Sequence, residues 1–234
     1  MFRKVLGIAA ILSLGACVSP YVATPYDRAS ANVQGIAMAD DAVPPKLTAF
    51  EVASIGSNFG LVGALVNAGI QAGREDAMTK ALDTVDFDPE ARLEARVISA
   101  MAAQGYQVAV VEGPLRAKRD FLVSYPAAPA DADAYLDVVV INYGYLSAGA
   151  FQPWRPTAQA SVRLVSASDP SNVLMENTIA YNTMYPAEGV ITLTPNPEYS
   201  FANQGEMEAN PAKLAAGIED ALNQIADTAA QLLR

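Results

Sequence analysis

Apolar residues recur at three- and four-residue steps in two stretches of this chain and at two-residue steps in three others, a pattern that predicts helices packed on a sheet. The most regular helical stretch is the last. Leu214, Ile218, Leu222, Ile225, Ala229 and Leu232 follow Asn210 as a cap and Pro211 in the first turn, so a long amphipathic helix is expected to lay its apolar face on a sheet. Leu93, Val97 and Met101 mark a second helix, opened by Asp88 as N-cap and Pro89 at its first position and stopped by Gly105. Tyr106 to Val111 then reads as a strand.

Alternation dominates the second half of the chain. Tyr135 to Leu146 is a long strand, apolar enough on both faces in its first part to be central. Thr157 to Ala167 points Ala158, Ala160, Val162 and Leu164 one way and Gln159, Ser161 and Arg163 the other. The turn Ser168 to Asn172 leads into a partner strand, Val173 to Asn182, which gives an antiparallel meander. Val190 to Thr194 adds an edge strand, and Lys46 to Ala53 a short strand before the first helices. The expected fold class is α+β: a mainly antiparallel sheet of about four to five strands, packed by two or three helices.

Residues 17–45 break this patterning. Pro20, Pro25, Pro44 and Pro45 stand among Ser, Ala, Thr and Asp, and we read the segment as a flexible tether. Residues 46–234 then form a single domain. At its start, Val52 to Gly73 carries no formal charge and repeats glycine at Gly56, Gly60, Gly63, Gly69 and Gly73. Two G-x-x-x-G spacings there allow the close backbone approach seen between membrane helices. Ser57, Asn58, Asn67 and Gln71 interrupt the run, and a loop leading into a tightly packed helix of the domain explains it as well. Both readings make these glycines a candidate close-packing interface.

Charge and the missing residue types narrow the chemistry. The 234-residue chain has a formal net charge of −10 and an apolar fraction of 52%, ample for a core. Such an acidic surface argues against nucleic-acid partners and against polybasic membrane docking. No histidine is present, which removes Ser-His-Asp and Cys-His catalysis and the common zinc arrangements. No P-loop or dinucleotide fingerprint appears, so no cofactor is expected; a non-catalytic protein is expected, with a histidine-free hydrolase using two carboxylates in one pocket left as the alternative. Asp83, Asp86, Asp88 and Glu90 fail the calcium-loop pattern, because Val85 and Phe87 occupy ligand positions, and helix capping accounts for the acids. No metal is expected.

Two segments are candidates for recognition. Arg116, Lys118 and Arg119 are the one basic cluster, either a solvated turn or a dock for an acidic partner or a lipid head group. Phe151 to Pro156 sets Phe151, the only tryptophan Trp154 and Arg155 in a proline-stiffened loop, beside Tyr143 and Tyr145 on the preceding strand. Tryptophan and arginine dominate interface hot spots, so these five residues form a candidate partner or ligand contact. The alternative is that Trp154 closes one end of the core.

The leader supplies the clearest address. Arg3 and Lys4 precede an apolar run, Val5 to Leu14, that is too short to span a bilayer and ends in Leu14-Gly15-Ala16-Cys17. Cys17 is the only cysteine in the chain. This ending resembles the lipobox of Gram-negative bacterial lipoproteins. The resemblance implies a signal peptide of residues 1–16, cleavage between Ala16 and Cys17, and acyl chains on Cys17. It also implies the periplasmic face of the outer membrane, because Val18 and Ser19 replace the aspartate that retains such proteins in the inner membrane. Without Arg3 and Lys4 the mature chain has 13 basic residues against 25 acidic, a net of −12.

A second resemblance covers Asp88 to Asn182. A helix ending in Gly105-Tyr106, a strand entered through Ala132-Asp133-Ala134-Tyr135, and the pair Ala160 to Val165 with Val173 to Glu176 are similar to periplasmic domains of the CsgG, LpoB and TolB amino-terminal types. It implies a non-catalytic accessory or scaffold in an outer-membrane or trans-envelope assembly, held to the membrane by its acyl anchor, with an envelope protein as partner and a homo-oligomer left open. The alternative is a periplasmic binding module for a cell-wall or small-molecule ligand, using Tyr143, Tyr145 and Trp154.

Overall fold

The computed structural model describes residues 21–53, 60–116, 118–184 and 186–234. They form a mixed α/β fold in which a seven-stranded sheet carries the helices α2 (Gly60–Asp83), α3 (Pro89–Ala103) and α5 (Pro211–Gln231). Two short helices, α1 (Arg28–Ala31) and α4 (Gln204–Ala209), complete the α-helices among the described residues, with one 3-10 turn at Pro197–Tyr199. The strands are β1 (Gly35–Ala39), β2 (Thr48–Ala53), β3 (Gln107–Val111), β4 (Ala134–Gly149), β5 (Trp154–Ser166), β6 (Val173–Tyr181) and β7 (Ile191–Leu193).

Their order is β3-β1-β4-β5-β6-β7, with β2 also on β4. β1 and β2 share one edge of β4, β1 pairing with Ala134 to Leu136 and β2 with Gly144 to Gly149, both parallel. β3 on β1 and β7 on β6 are parallel as well, and only β4-β5-β6 is an antiparallel meander. The sheet is therefore larger than the expected four to five strands and partly parallel rather than mainly antiparallel. The meander was visible as alternation. β2, β3 and β7 fall in segments read as strands, but their parallel pairing was not visible and β1 was missed, because β1 joins β3 to β4 across long stretches of chain.

The segment read as a tether holds the largest surprise. Every residue of β1 is buried, and the strand lies between β3 and β4, so residues 21–45 belong to the domain. Asp133 fixes its start, its carboxylate accepting the backbone N–H of Gln34 and of Gly35, each at 2.9 Å. Those two bonds hold the Asp133 carboxyl below the usual carboxylate range.

A bulge in β4 sets which side chains enter the core. Val140 faces Ala160 and Asn142 faces Gln159, leaving Ile141 as the extra residue. Before the bulge the core-facing residues are Leu136, Val138 and Val140; after it the parity flips, and Tyr143 and Tyr145 continue the same face. Gly144 has φ +134°, and a Cβ there would overlap the Thr48 carbonyl, so β2 pairs closely only because the position is glycine.

α5 covers this face as its apolar stripe predicts, with Leu214, Ile218, Leu222 and Ile225 at 0% exposure. Burial of such side chains contributes about 1.5–3 kcal/mol each. Its Gly217 backbone rests on the Tyr145 hydroxyl. Asn210 differs from expectation: it precedes α5 without a side-chain cap bond and turns back to donate to the Glu206 carbonyl at 2.8 Å. Asp88 caps α3 as predicted, accepting from the Ala91 N–H at 3.1 Å. A bidentate pair from Arg96 to Asp227, at 2.7 and 2.6 Å, ties α3 to α5.

Candidate functional site

The bulge and the turn after β4 decide the fate of the aromatic candidates. Tyr143, Tyr145 and Trp154 are all buried, Tyr145 completely. The Tyr145 hydroxyl donates to the Tyr199 carbonyl at 3.1 Å, and burial pushes its ionisation far above the ordinary tyrosine range. Trp154 pairs through its backbone with Phe201, and Arg74, itself bonded to Glu51 at 2.8 Å, lies 5.2 Å over the indole. Trp154 is thus a core plug. Phe151 and Arg155 point to solvent, Phe151 at a left-handed turn position with φ +65°. The five residues do not form the surface contact read from their proximity in sequence.

The glycines separate in the same way. Gly60 and Gly63 lie in α2, and Gly69 and Gly73 lie on its exposed side, where an added Cβ meets nothing within 4 Å. No helix among the described residues is long and apolar enough to cross a membrane. Gly56, Ala16 and Cys17 fall outside the described residues.

The basic cluster is internal too. Residues 112–116 and 118–133 form a strap across the sheet face opposite α5, and Arg116 reaches through it to Asp137 on β4 at 2.6 Å, with side-chain exposures of 1% and 0%. Asp137 also accepts from the Leu122 N–H at 2.8 Å and the Tyr125 hydroxyl at 3.1 Å. Arg119 donates to the carbonyls of Val140, Asp41 and Ala42. Desolvation lowers the Arg119 pKa. Only Lys118 of the three is exposed.

What the fold does assemble is a cleft of about 280 Å³ where the β1–β2 connection meets the start of α3. Pro45, Leu47, Leu82 and Phe87 supply apolar walls; Glu90 and Tyr143 supply polar groups. Glu90, in the first turn of α3, accepts the N–H of Ala42 at 2.8 Å and of Val43 at 2.6 Å, fixing the wall that carries the prolines. Burial raises its pKa despite those two bonds. Tyr143 lines the cleft with its phenol. Burial, with the negative charge of Asp88 and Glu90, pushes it up to about 12, so it stays a protonated donor at neutral pH.

No cation lines the cleft and acids ring it, so it favours an uncharged or positively charged group with an apolar part. Among the described residues, no three His, Cys, Asp or Glu side chains are gathered to hold a metal ion. Glu90 was legible in the sequence as a first-turn acid, but its partners at Ala42 and Val43 were not, being far away in the chain.

No protein-family model matches the chain, and no curated protein matches it in sequence. Among solved structures the chain is similar to protein XCC0632 from Xanthomonas campestris, of the DUF330 family, at 15% identity over 90% of each chain with a TM-score of 0.41.

Proposed function

We propose that the protein is a lipid-anchored, non-catalytic accessory or scaffold of an outer-membrane or trans-envelope assembly, held on the periplasmic face of the outer membrane. The observation that carries this reading is the sole cysteine, Cys17, at the end of Leu14-Gly15-Ala16-Cys17, a few residues before an acidic domain whose basic cluster is turned inward. An acyl anchor then supplies the attachment that surface charge does not. Fractionation of cells carrying Cys17→Ser tests it. The variant is expected to leave the membrane fraction and lose its crosslinked envelope partner; a variant processed and retained like the native protein overturns the reading.

A second reading, a binding module for a cell-wall or small-molecule ligand, is favoured by the protonated Tyr143 hydroxyl lining the cleft beside Glu90. It rests on Tyr143 and Glu90 rather than on Tyr145 and Trp154, which the core consumes. The ligand class is an amine-bearing or neutral molecule with an apolar portion. Tyr143→Phe keeps the packing and removes one donor, so it is expected to weaken such a ligand by about 0.5–1.5 kcal/mol in calorimetry; unchanged affinity sinks it.

A further inference from the structure

The start of the domain and the strap share one face of the sheet. Thr24 exchanges two backbone hydrogen bonds with Glu176 on β6, both 2.9 Å, and the Tyr21 hydroxyl is buried beside Thr178. Glu176 pairs with Arg163 at 2.7 Å, and the Arg163 guanidinium stacks 4.0 Å from the ring centre of Phe121 in the strap. A continuous row of contacts therefore joins the chain at Tyr21 to the strap, all on the side away from α3 and α5.

This side also carries bare apolar side chains. Among the described residues, Val22, Leu115, Val123 and Phe151 are the large hydrophobics with exposures of 77% or more, and the first three lie on the strap or on the segment beside it. Val123 borders an open depression of about 390 Å³ in the strap that Phe121, Leu122 and Lys118 also line. Nothing among the described residues covers these groups.

Cys17 stands four positions before Tyr21. Fully extended, that length reaches at most about 14 Å. We infer that the strap face lies against the lipid leaflet, with Val22, Leu115 and Val123 entering the interfacial region beside the acyl anchor. This rests on the lipid-anchor reading above. The occupant is the bilayer surface because so short a connection leaves the face at Tyr21 little room for anything else, and the attraction is apolar because Lys118 is the one exposed cation of the strap's basic cluster.

Acylation consumes the only native thiol, so a single introduced cysteine can be labelled selectively. The full-length protein carrying Val123→Cys or, on the outer side of α3, Ser99→Cys is purified in its mature form and labelled with an environment-sensitive fluorophore. It is then reconstituted in phosphatidylethanolamine–phosphatidylglycerol vesicles with doxyl-labelled lipid. The label at position 123 is expected to shift to the blue and lose most of its emission to the quencher, in low and high salt alike, while the label at 99 keeps its own. Equal quenching at the two positions, or quenching at 123 that salt abolishes, overturns this inference. Mass spectrometry of the amino-terminal peptide separates the two readings. An acylated Cys17 with no contrast between labels leaves the anchor standing and removes the orientation, whereas an unacylated Cys17 removes both.

Discussion

Replacing Arg116 by methionine tests the packing of the strap most directly. The guanidinium and the Asp137 carboxylate are buried to 1% and 0% exposure at 2.6 Å, and the same arginine donates from Nε to the Asp41 carbonyl and from Nη1 to the Asp120 carbonyl, each at 3.0 Å. Methionine fills much of the stem but leaves Asp137 without a counter-charge in the interior. Removing one partner of such a pair costs about 3–5 kcal/mol. That is a large part of the ~5–15 kcal/mol that holds a typical domain together. Asp137→Asn added to Arg116→Met removes the stranded charge and keeps an oxygen for the Leu122 N–H and the Tyr125 hydroxyl, so the double variant is expected to recover at least half of the loss. Urea unfolding followed by the buried Trp154 gives both numbers. A cost under about 1 kcal/mol for Arg116→Met, or no recovery in the double variant, refutes the view that the pair organises the strap.

Three further outcomes follow from the packing. Gly217→Ala drives a methyl into the Tyr145 hydroxyl and the Tyr199 side chain, and is expected to cost about 1–3 kcal/mol in urea unfolding, partly relieved by Tyr145→Phe; additive losses contradict the contact. Glu94 is held above its ordinary pKa chiefly by burial and then by Glu90, Asp40 and Asp88, so the folded state binds its proton more tightly than the unfolded state does. Its contribution is complete below the unfolded value and is lost as pH rises through the folded one. Glu94→Gln should therefore flatten the fall in stability that sets in as pH rises above roughly 4.3, and an unchanged slope counts against it. Deleting residues 21–45 should give a chain without cooperative unfolding, because it removes a central strand; a cooperative melt like that of the intact domain refutes the assignment of β1.

The helices and the meander were legible because their signals are local. The stripe of α5, the Asp88-Pro89 start of α3 and the alternation of β5 each declare themselves within one element. β1 did not, since Gly-Ile-Ala-Met-Ala is short, poor in β-branched residues and set among prolines, and only its place between β3 and β4 makes it a strand. The bulge at Ile141 is equally silent in a run of apolar residues, yet it decides that Tyr143 and Tyr145 face inward. The internal use of Arg116 did leave one sign: Asp137 is the only acid in Tyr135 to Leu146, and a carboxylate in a central strand needs a partner. The cleft could not be read, because Glu90, Val43 and Tyr143 come from three distant segments.

The place of β1 bears on how the domain takes a mechanical load. Under the proposed lipid anchor, a pull between the bilayer and a protein gripping the domain enters at the amino terminus, crosses the Thr24–Glu176 bridge and then runs along a strand flanked on both sides by parallel neighbours. Its hydrogen bonds are strained together in shear rather than opened one at a time, so the fastening point of the fold is also one of its stiffest lines.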